Sequence, residues 1–595
     1  MTTQAAPAST QISTLAELAG HTAARHSGPA LRHKTERGWE DISYAELGLT
    51  AGEIARGLIA LGIERGDRVS ILGNTRPEWT LCDLGALAAG TTVAPIYQTN
   101  SPEECQYVLT HSEARVVFCE EEQLEKIDQI RERCPALEHV IVFERRVGED
   151  ISLDELRQLG AEVTDSALDE RVAAVAPNDI ATLVYTSGTT GPPKGCMLTH
   201  ANFLATMEMY LQQVEFDDTH TVFMFLPLAH SLARVTQMVA LQVGATIAYW
   251  TRDPKRLLED IAEVRPSHLP SVPRVFEKIH TAALSGIEDQ QFAKRLMARW
   301  ALETGRRARS VERRGKQLGR LGRSRRGIAD RLVLGKVRDL FGGQLQLALS
   351  GAAPIAKDVL EFFDSCGIPI LEGYGMTEST AAATLNTKDS QRFGSVGKPL
   401  PGTEVRTAPD GEILLSGPHV FAGYFKDPEA TSETFDDGWL RTGDLGHIDP
   451  EGFVSITGRK KDIIITSSGK NITPTNIENQ LKESRWISEA VVYGDGRPYL
   501  VALITLDGDE LPALAERAGV APDVATMAHD DRVRAEIQRE VDRANEHFAR
   551  IEQVKRFTIL DHELSQAAGE LTPTLKVKRS VVYDKYGSKL AALYE

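Results

Sequence analysis

Residues 181–195 read ATLVYTSGTTGPPKG. A short apolar strand runs into a loop of hydroxyl residues and glycines that ends in Lys194. Gly188, Gly191 and Gly195 allow backbone conformations with positive φ. Loops of this kind turn successive N–H groups toward an anion. Thr186, Ser187, Thr189 and Thr190 add hydroxyl donors, and Lys194 adds a positive charge on a long stem. The composition suits a phosphate and is a poor match to an ordinary connection. It is not a P-loop, because no Gly-Lys-Ser/Thr follows at the required spacing.

On either side of this loop, helical and strand-like segments alternate. Tyr44–Leu61 is an amphipathic helical run. RVSILGN at 68–74, ARVVFCE at 114–120, HVIVFE at 139–144, ATIAYW at 245–250 and LQLALSG at 345–351 read as short buried strands. Strands of this length between helices predict an α/β fold with parallel sheet covered by helices. The longest uncharged apolar run, Val235–Thr251, has 17 residues and contains Gln237, Gln242 and Gly244. A membrane span needs about 20 apolar residues, so this run reads as a buried helix and then a buried strand.

After about residue 400 the strands shorten and turns become dense, as in PDGEILLSGP at 409–418. A helix is expected to start near 474, either with Pro474 as its first residue behind Thr473 or through a capping box of Thr475 and Glu478. A hairpin follows (ISEAVVYG, DGRP, YLVALITLD), then a helix over Asp531–Phe548 and a strand at VKRFTIL. A small α+β domain is therefore expected at 461–595, after a large domain at 13–460. Residues 1–12, small and polar, are expected to be disordered.

Composition narrows the function classes. The chain has 595 residues, 42% hydrophobic and 25% charged, which suits a folded protein. Its net charge, 67 − 84 = −17, argues against a nucleic-acid partner. The six cysteines lack zinc or disulfide spacing, and the N-terminus lacks a signal-peptide pattern, so a cytoplasmic location is expected. One stretch departs from the average. Between Arg306 and Arg338 lie thirteen Lys/Arg and only Glu312 and Asp330. It reads as a solvated helical insertion, or as a patch for an anionic lipid surface and peripheral membrane association.

Three further motifs carry chemistry. In LEGYGMTES, 371–379, Tyr374 stands between glycines that leave room for a planar ligand, Thr377 offers a hydroxyl, and Glu378 suits a hard cation. In GWLRTGDLGHIDPEGFVSITGRKKD, 438–462, Asp444 sits in a Gly-flanked turn where it could accept ribose hydroxyls, and Arg459 ends a strand nearby. In GELTPTLKVKR, 569–579, Lys576 and Lys578 alternate with apolar residues and would face one side of a strand. Composition does not choose between those two lysines.

Together these motifs, in this order, resemble the adenylate-forming superfamily: acyl-CoA synthetases, beetle luciferases and adenylation domains of peptide synthetases. LPLAHSLARV at 226–235, SVPRVFEKI at 271–279 and ELTPTLKVKR look like the long-chain fatty acyl-CoA synthetase branch. The resemblance implies a large domain of layered α/β sheets with a small distorted β-barrel, and a small mobile α+β domain. It implies ATP, Mg²⁺ and coenzyme A acting on a fatty acid, first to acyl-AMP and pyrophosphate, then to acyl-CoA. A fatty acyl-AMP ligase that delivers to a carrier protein is the alternative.

Site roles carry over by position. The 186–194 loop would hold the β- and γ-phosphates, with Lys194 on the pyrophosphate and Thr186 and Glu378 near Mg²⁺. Tyr374 would stack on adenine in a pocket with Gly351, Ala352 and Gly373; Glu372 and Gly375 also belong to the nucleotide-binding set. Thr377 would touch the α-phosphate, and Asp444 and Arg459 the ribose. Lys576 matches the catalytic lysine, Lys461 the hinge, Gly469 a loop used in the coenzyme A step, and His230 a gate at the acyl pocket. Two departures stand out. Ala233-Arg234 replaces the usual Glu-Arg, so a local ion pair is expected to be missing. Leu575 replaces the Gly that many members carry before the catalytic lysine, which keeps Lys578 in play.

Overall fold

Alternating strands and helices over the first 400 residues build two large sheets in the computed structural model, which describes residues 12–186, 192–288, 291–572 and 576–595. The eight-stranded sheet has a parallel centre: Ile180–Thr186, Thr92–Ile96, Arg68–Leu72, Ala114–Cys119 and His139–Val142 lie side by side in that order. The nine-stranded sheet is parallel from Pro29–Thr35 through Thr246–Tyr249, Thr221–Met224, His268–Ser271 and Leu347–Ser350 to Ile370–Tyr374. Apart from the outer strand Pro29–Thr35, these strands are mostly buried on both faces, which is why they read as continuous apolar runs rather than alternating ones.

Local signals set several helix starts. Ser43 accepts the Glu46 N–H at 3.2 Å while the Glu46 carboxylate accepts the Ser43 N–H at 2.8 Å, a capping box that opens the helix Tyr44–Ala60. That helix buries Leu47, Ala51, Ile54, Ala55 and Leu58, one face of a 3.6-residue period. The apolar run 235–251 divides as expected into the helix Ser231–Val243 and the strand Thr246–Tyr249. Gly244, at φ 85°, ends the helix, and a Cβ there would stand 2.4 Å from the His26 ring.

Beyond residue 400 a five-stranded antiparallel sheet, built on the strands Glu404–Thr407, Glu412–Ser416, Phe435–Asp436, Trp439–Ile448 and Val454–Arg459, stands where the small barrel is expected. The expected hairpin follows as Ile487–Tyr493 and Leu500–Leu506, with Val554–Ile559 added in parallel. Buried apolar clusters also divide here. Those of residues 12–454 share no member with those of 464–590.

Four local expectations need correction. Ile12 is buried against the core, so the N-terminal tail ends before it. Pro474 is the first residue of the helix Pro474–Leu481, but Thr473 makes no side-chain cap bond and Glu478 makes no capping box. Glu478 instead is buried and paired with Arg579. The helix expected over Asp531–Phe548 ends at Asn545. The basic segment is helical, yet not simply solvated: it buries Ala308, Ala329, Leu334 and Val337, and the helix Phe292–Arg313 that leads into it also buries Ala298, Ala301 and Gly305. A Cβ on Gly305 would come within 2.2 Å of the Ser365 carbonyl, so only glycine allows that approach.

Candidate active site

The motif residues gather at the carboxyl ends of parallel strands, where open α/β sheets place ligands. Thr186 ends Ile180–Thr186, Gly351 follows Leu347–Ser350, and Tyr374 ends Ile370–Tyr374. The Thr/Ser/Gly loop connects two antiparallel strands, since Thr186 pairs with Lys194 in the register of Ile180–Thr186 and Lys194–Thr199. Ser187, Gly188, Thr189, Thr190 and Gly191 lie outside the described residues.

Around the loop's ends the structure assembles a polar group. The Glu378 carboxylate is buried and accepts the Tyr424 hydroxyl at 2.8 Å. Burial, and then the Glu378 charge, push the Cys196 thiol well above its ordinary pKa, while the Thr186 hydroxyl, 3.9 Å from its sulfur, works the other way. Lys194 Nζ lies 3.8 Å from Asp427 and 5.0 Å over the Tyr424 ring. Lys194, Asp427, Tyr107, His111 and Phe425 line a cavity of about 140 Å³.

The second group is joined by charge-assisted bonds. Tyr374 donates its hydroxyl to Asp444 Oδ2 at 2.7 Å, and Arg459 Nε donates to Asp444 Oδ1 at 2.9 Å. Asp444 is not in a turn as its flanking glycines suggest. It lies within the strand Trp439–Ile448, directly opposite Arg459 in the antiparallel register. Gly443, at φ 70°, provides the local kink. The glycines around Tyr374 also have a structural origin: a Cβ on Gly375 would stand 2.2 Å from the Ala381 carbonyl. Gly351 and Gly373 are neighbours, since a Cβ on Gly351 would lie 3.7 Å from the Gly373 carbonyl oxygen. Ala352 (φ 70°), Thr380 (φ 48°) and Ala381 (φ 76°) hold left-handed backbone beside them, strain of the kind that clusters at binding sites. Thr377 opens a short 3-10 turn, Thr377–Ser379. Burial raises the Glu372 carboxyl to about 8, partly offset by the Gly394 N–H, so Glu372 is largely protonated at neutral pH.

Lys576 reaches this second group from the C-terminal part. Its side chain is open to solvent, yet its ammonium is walled by the facing cleft. Desolvation and then the Arg459 charge lower its pKa to about 8, against the pull of Asp444. The same ammonium adds to the burial that lowers His230 to about 4. His230 caps the helix Ser231–Val243 by accepting the Leu232 N–H on Nδ1 at 3.2 Å. Lys578 goes elsewhere: its Nζ is 3.8 Å from Glu104. The expected strand does not form at 576–578; an isolated Leu571–Val577 bridge stands there, and the two lysines have different surroundings. Gly469 (φ 78°) sits in the Ile464–Ile472 ribbon, whose Ser467 N–H bonds the Arg497 carbonyl. Lys461 lies in the 3-10 turn Lys460–Asp462 that joins that ribbon to the strand Val454–Arg459.

Sequence reasoning missed Tyr424, Asp427 and Asp83. The local ion pair with position 233 is absent as expected, and Arg234 pairs elsewhere: its Nε donates to Asp83 Oδ2 at 2.9 Å, and both side chains are fully buried. The partner comes from the helix Pro77–Ala88 rather than from the neighbouring position 233.

Comparison with known proteins adds a lineage to this geometry. A long-chain-fatty-acid–CoA ligase of Mycobacterium bovis, FadD15, is 39% identical over 563 residues, 93% of this chain and 92% of that one. The Xenopus laevis long-chain-fatty-acid–CoA ligase ACSBG2 is 35% identical over 605 residues, 95% of this chain and 81% of that one. The fold matches the A domain of the carboxylic acid reductase of Segniliparus rugosus, solved with AMP and a co-purified carboxylic acid. The TM-score is 0.75 at 22% identity, covering 98% of this chain and 95% of that one. The AMP-binding enzyme family matches residues 20–425, and the AMP-binding enzyme C-terminal domain matches 461–595. The chain therefore belongs to the AMP-binding enzyme family.

Proposed function

We infer that the protein is a long-chain fatty acid–CoA ligase that works in two steps. The fatty carboxylate attacks the α-phosphorus of ATP, forming the acyl–phosphate bond as the bond to pyrophosphate breaks. The thiolate sulfur of coenzyme A then attacks the acyl carbonyl, and AMP leaves with the carboxyl oxygen. A carboxylate is a poor acyl donor, and converting its oxygen into part of AMP supplies the missing leaving group.

The observation that carries this reading is the placement of Lys576 beside Asp444, Arg459 and His230. Asp444 and Arg459 are placed to hold the ribose, Tyr374 the adenine with Gly351, Ala352, Glu372, Gly373 and Gly375, and Thr377 the α-phosphate. Lys576 meets charge as it builds on that phosphate. A preorganised donor of this kind is worth about 10²–10³ in rate. Its pKa of about 8 leaves it mostly charged at neutral pH. Lys194, with Thr186 and the 187–191 loop, faces the pyrophosphate. The Glu378 carboxylate and the Thr186 hydroxyl offer the hard oxygen donors that Mg²⁺ prefers alongside phosphates. Mg²⁺, when bound there, neutralises phosphate charge. His230, neutral at physiological pH, borders the acyl end.

We assign residues 13–460 and 461–595 to separate domains, with Lys461 as the hinge. The arrangement described is the one that serves adenylation. Rotation would withdraw Lys576 and bring the Gly469 loop forward for coenzyme A. Reduced, buried cysteines favour a cytoplasmic location; all six are free. No described helix is long and apolar enough to cross a membrane. Peripheral contact with an anionic bilayer fits the basic segment, because its helices expose apolar side chains between arginines. Within 306–338, Leu321 and Ile328 are more than half exposed, and Phe292, Leu296 and Trp300 recur at helical spacing on the helix that leads into the segment. Co-sedimentation with phosphatidylglycerol vesicles that falls with salt supports this, and binding unchanged in Leu296→Glu/Trp300→Glu opposes it.

The test of the main reading follows palmitate, ATP and Mg²⁺ with and without coenzyme A. Pyrophosphate and acyl-AMP without coenzyme A, then acyl-CoA when it is added, is the expected result. Accumulation of acyl-AMP that coenzyme A does not consume favours delivery to a carrier protein.

A further inference from the structure

The loop that carries Lys576 is closed by its own backbone. The Thr572 N–H donates to the Lys576 carbonyl at 2.7 Å, and the Lys576 N–H donates to Thr572 Oγ1 at 3.0 Å. What fixes its base is Glu570, whose side chain is fully buried.

Glu570 bonds in every direction. Its carbonyl accepts the Lys578 N–H at 2.7 Å, and its own N–H donates to the Ser565 carbonyl at 3.0 Å. Its carboxylate accepts the Ser565 N–H at 2.9 Å, the Lys585 ammonium at 2.7 Å and the Tyr586 hydroxyl. His562 Nε2 stands 2.7 Å from that hydroxyl. Burial works to raise the carboxyl's pKa, but the Lys585 and Tyr586 bonds outweigh it and hold the group charged. Lys585 and Tyr586 belong to the helix Arg579–Ala592, whose Val582, Tyr586 and Leu590 are buried with Leu571 in one apolar cluster. Arg579 anchors the start of that helix by donating two hydrogen bonds, of 2.6 and 2.8 Å, to the Glu478 carboxylate. The carboxylate thus ties the Glu570 end of the segment to a firmly seated helix, and the Glu570 backbone carbonyl holds the far end at Lys578.

We propose that Glu570 is a positioning residue for Lys576, acting through Tyr586 and Lys585 to hold the ammonium at the Asp444–Arg459 site during adenylation. The proposal rests on the ligase reading. A buried charge with this many donors costs stability unless all are satisfied, and glutamine in its place removes the charge and one of the two acceptor oxygens that Ser565, Lys585 and Tyr586 share. Because the second step does not use Lys576, loss of positioning should fall on one half-reaction only. A merely structural role would lower both.

The test compares wild type, Glu570→Gln and Tyr586→Phe in the full chain. Fatty-acid-dependent ATP–pyrophosphate exchange is expected to fall between about tenfold and hundredfold in Glu570→Gln, the scale of a small misplacement. A smaller fall is expected in Tyr586→Phe. Thioester formation from supplied palmitoyl-AMP and coenzyme A should stay at the wild-type rate. Amide hydrogen exchange at Lys576 and Lys578 should quicken in both variants. Equal loss of both half-reactions, or unaltered amide exchange, overturns the proposal; if Glu570→Gln does not fold, Tyr586→Phe decides. Absence of pyrophosphate exchange in wild type would instead refute the ligase reading, with amide exchange still deciding the positioning claim.

Discussion

The cradle at the strand ends and the loop that brings Lys576 to it are built in opposite ways. Asp444 and Arg459 face each other on paired strands and are bonded together, and Tyr374 bonds Asp444 directly. Glu378 is locked to Tyr424, and the helix that His230 caps is anchored by the buried Asp83–Arg234 pair. Lys576 lies outside any strand, and burial and the Arg459 charge work against its ammonium while Asp444 favours it. The difference teaches how one site serves two reactions. On the proposed reading, the groups needed in both steps would be the fixed ones, and the group needed in one step would be carried on a part that leaves.

The contrast can be broken from the fixed side. Asp83→Ala would strand a buried guanidinium, and breaking such a pair costs about 3–5 kcal/mol. Thermal or denaturant unfolding is expected to show this loss, and a shift of less than about 1 kcal/mol would mean the pair is not an anchor. Asp444→Ala removes charge-assisted bonds worth about 1.5–3 kcal/mol. The expected result is a rise in the ATP KM of roughly tenfold to hundredfold, which steady-state kinetics will read. An unchanged KM would remove Asp444 from the ribose.

From the delivered side, pH is the finer probe. A lysine lowered to about 8 is charged below that pH and loses its proton above it. Adenylation kcat/KM should therefore decline as pH rises through 8, because this parameter reports the free enzyme. A flat profile up to pH 10 would show that Lys576 is not held as described. The smallest effect is expected at Lys578, whose partly exposed pair with Glu104 is worth at most about 1 kcal/mol. Lys578→Ala should change adenylation by less than about fivefold, and a larger loss would give it a share of the role of Lys576.

Much of this was legible in the residues because the signals are local. Apolar runs marked the strands, and the run 235–251 divided correctly into helix and strand. Glycines marked the kinks, though Gly375 is fixed by the Ala381 carbonyl rather than by a ligand. The site partners that were missed are pairings between distant positions. Asp83 and Arg234 are 151 residues apart, and Glu378 and Tyr424 are 46 apart, so no spacing announces them. Asp444 reads as a turn because its glycines are visible, while its strand partner Arg459 is seen only once the sheet is formed. The alternation at Lys576 and Lys578 suggested one face, yet the loop closed by Thr572 sends them to different partners.

The most direct test separates the two half-reactions in Lys576→Ala. Adenylation, followed as palmitate-dependent ATP–pyrophosphate exchange, should fall by about 10²–10³ or more. Acyl transfer from supplied palmitoyl-AMP to coenzyme A should proceed at the wild-type rate. Equal losses in both reactions, or full exchange activity without the ammonium, would contradict a lysine delivered to a fixed cradle for one step alone.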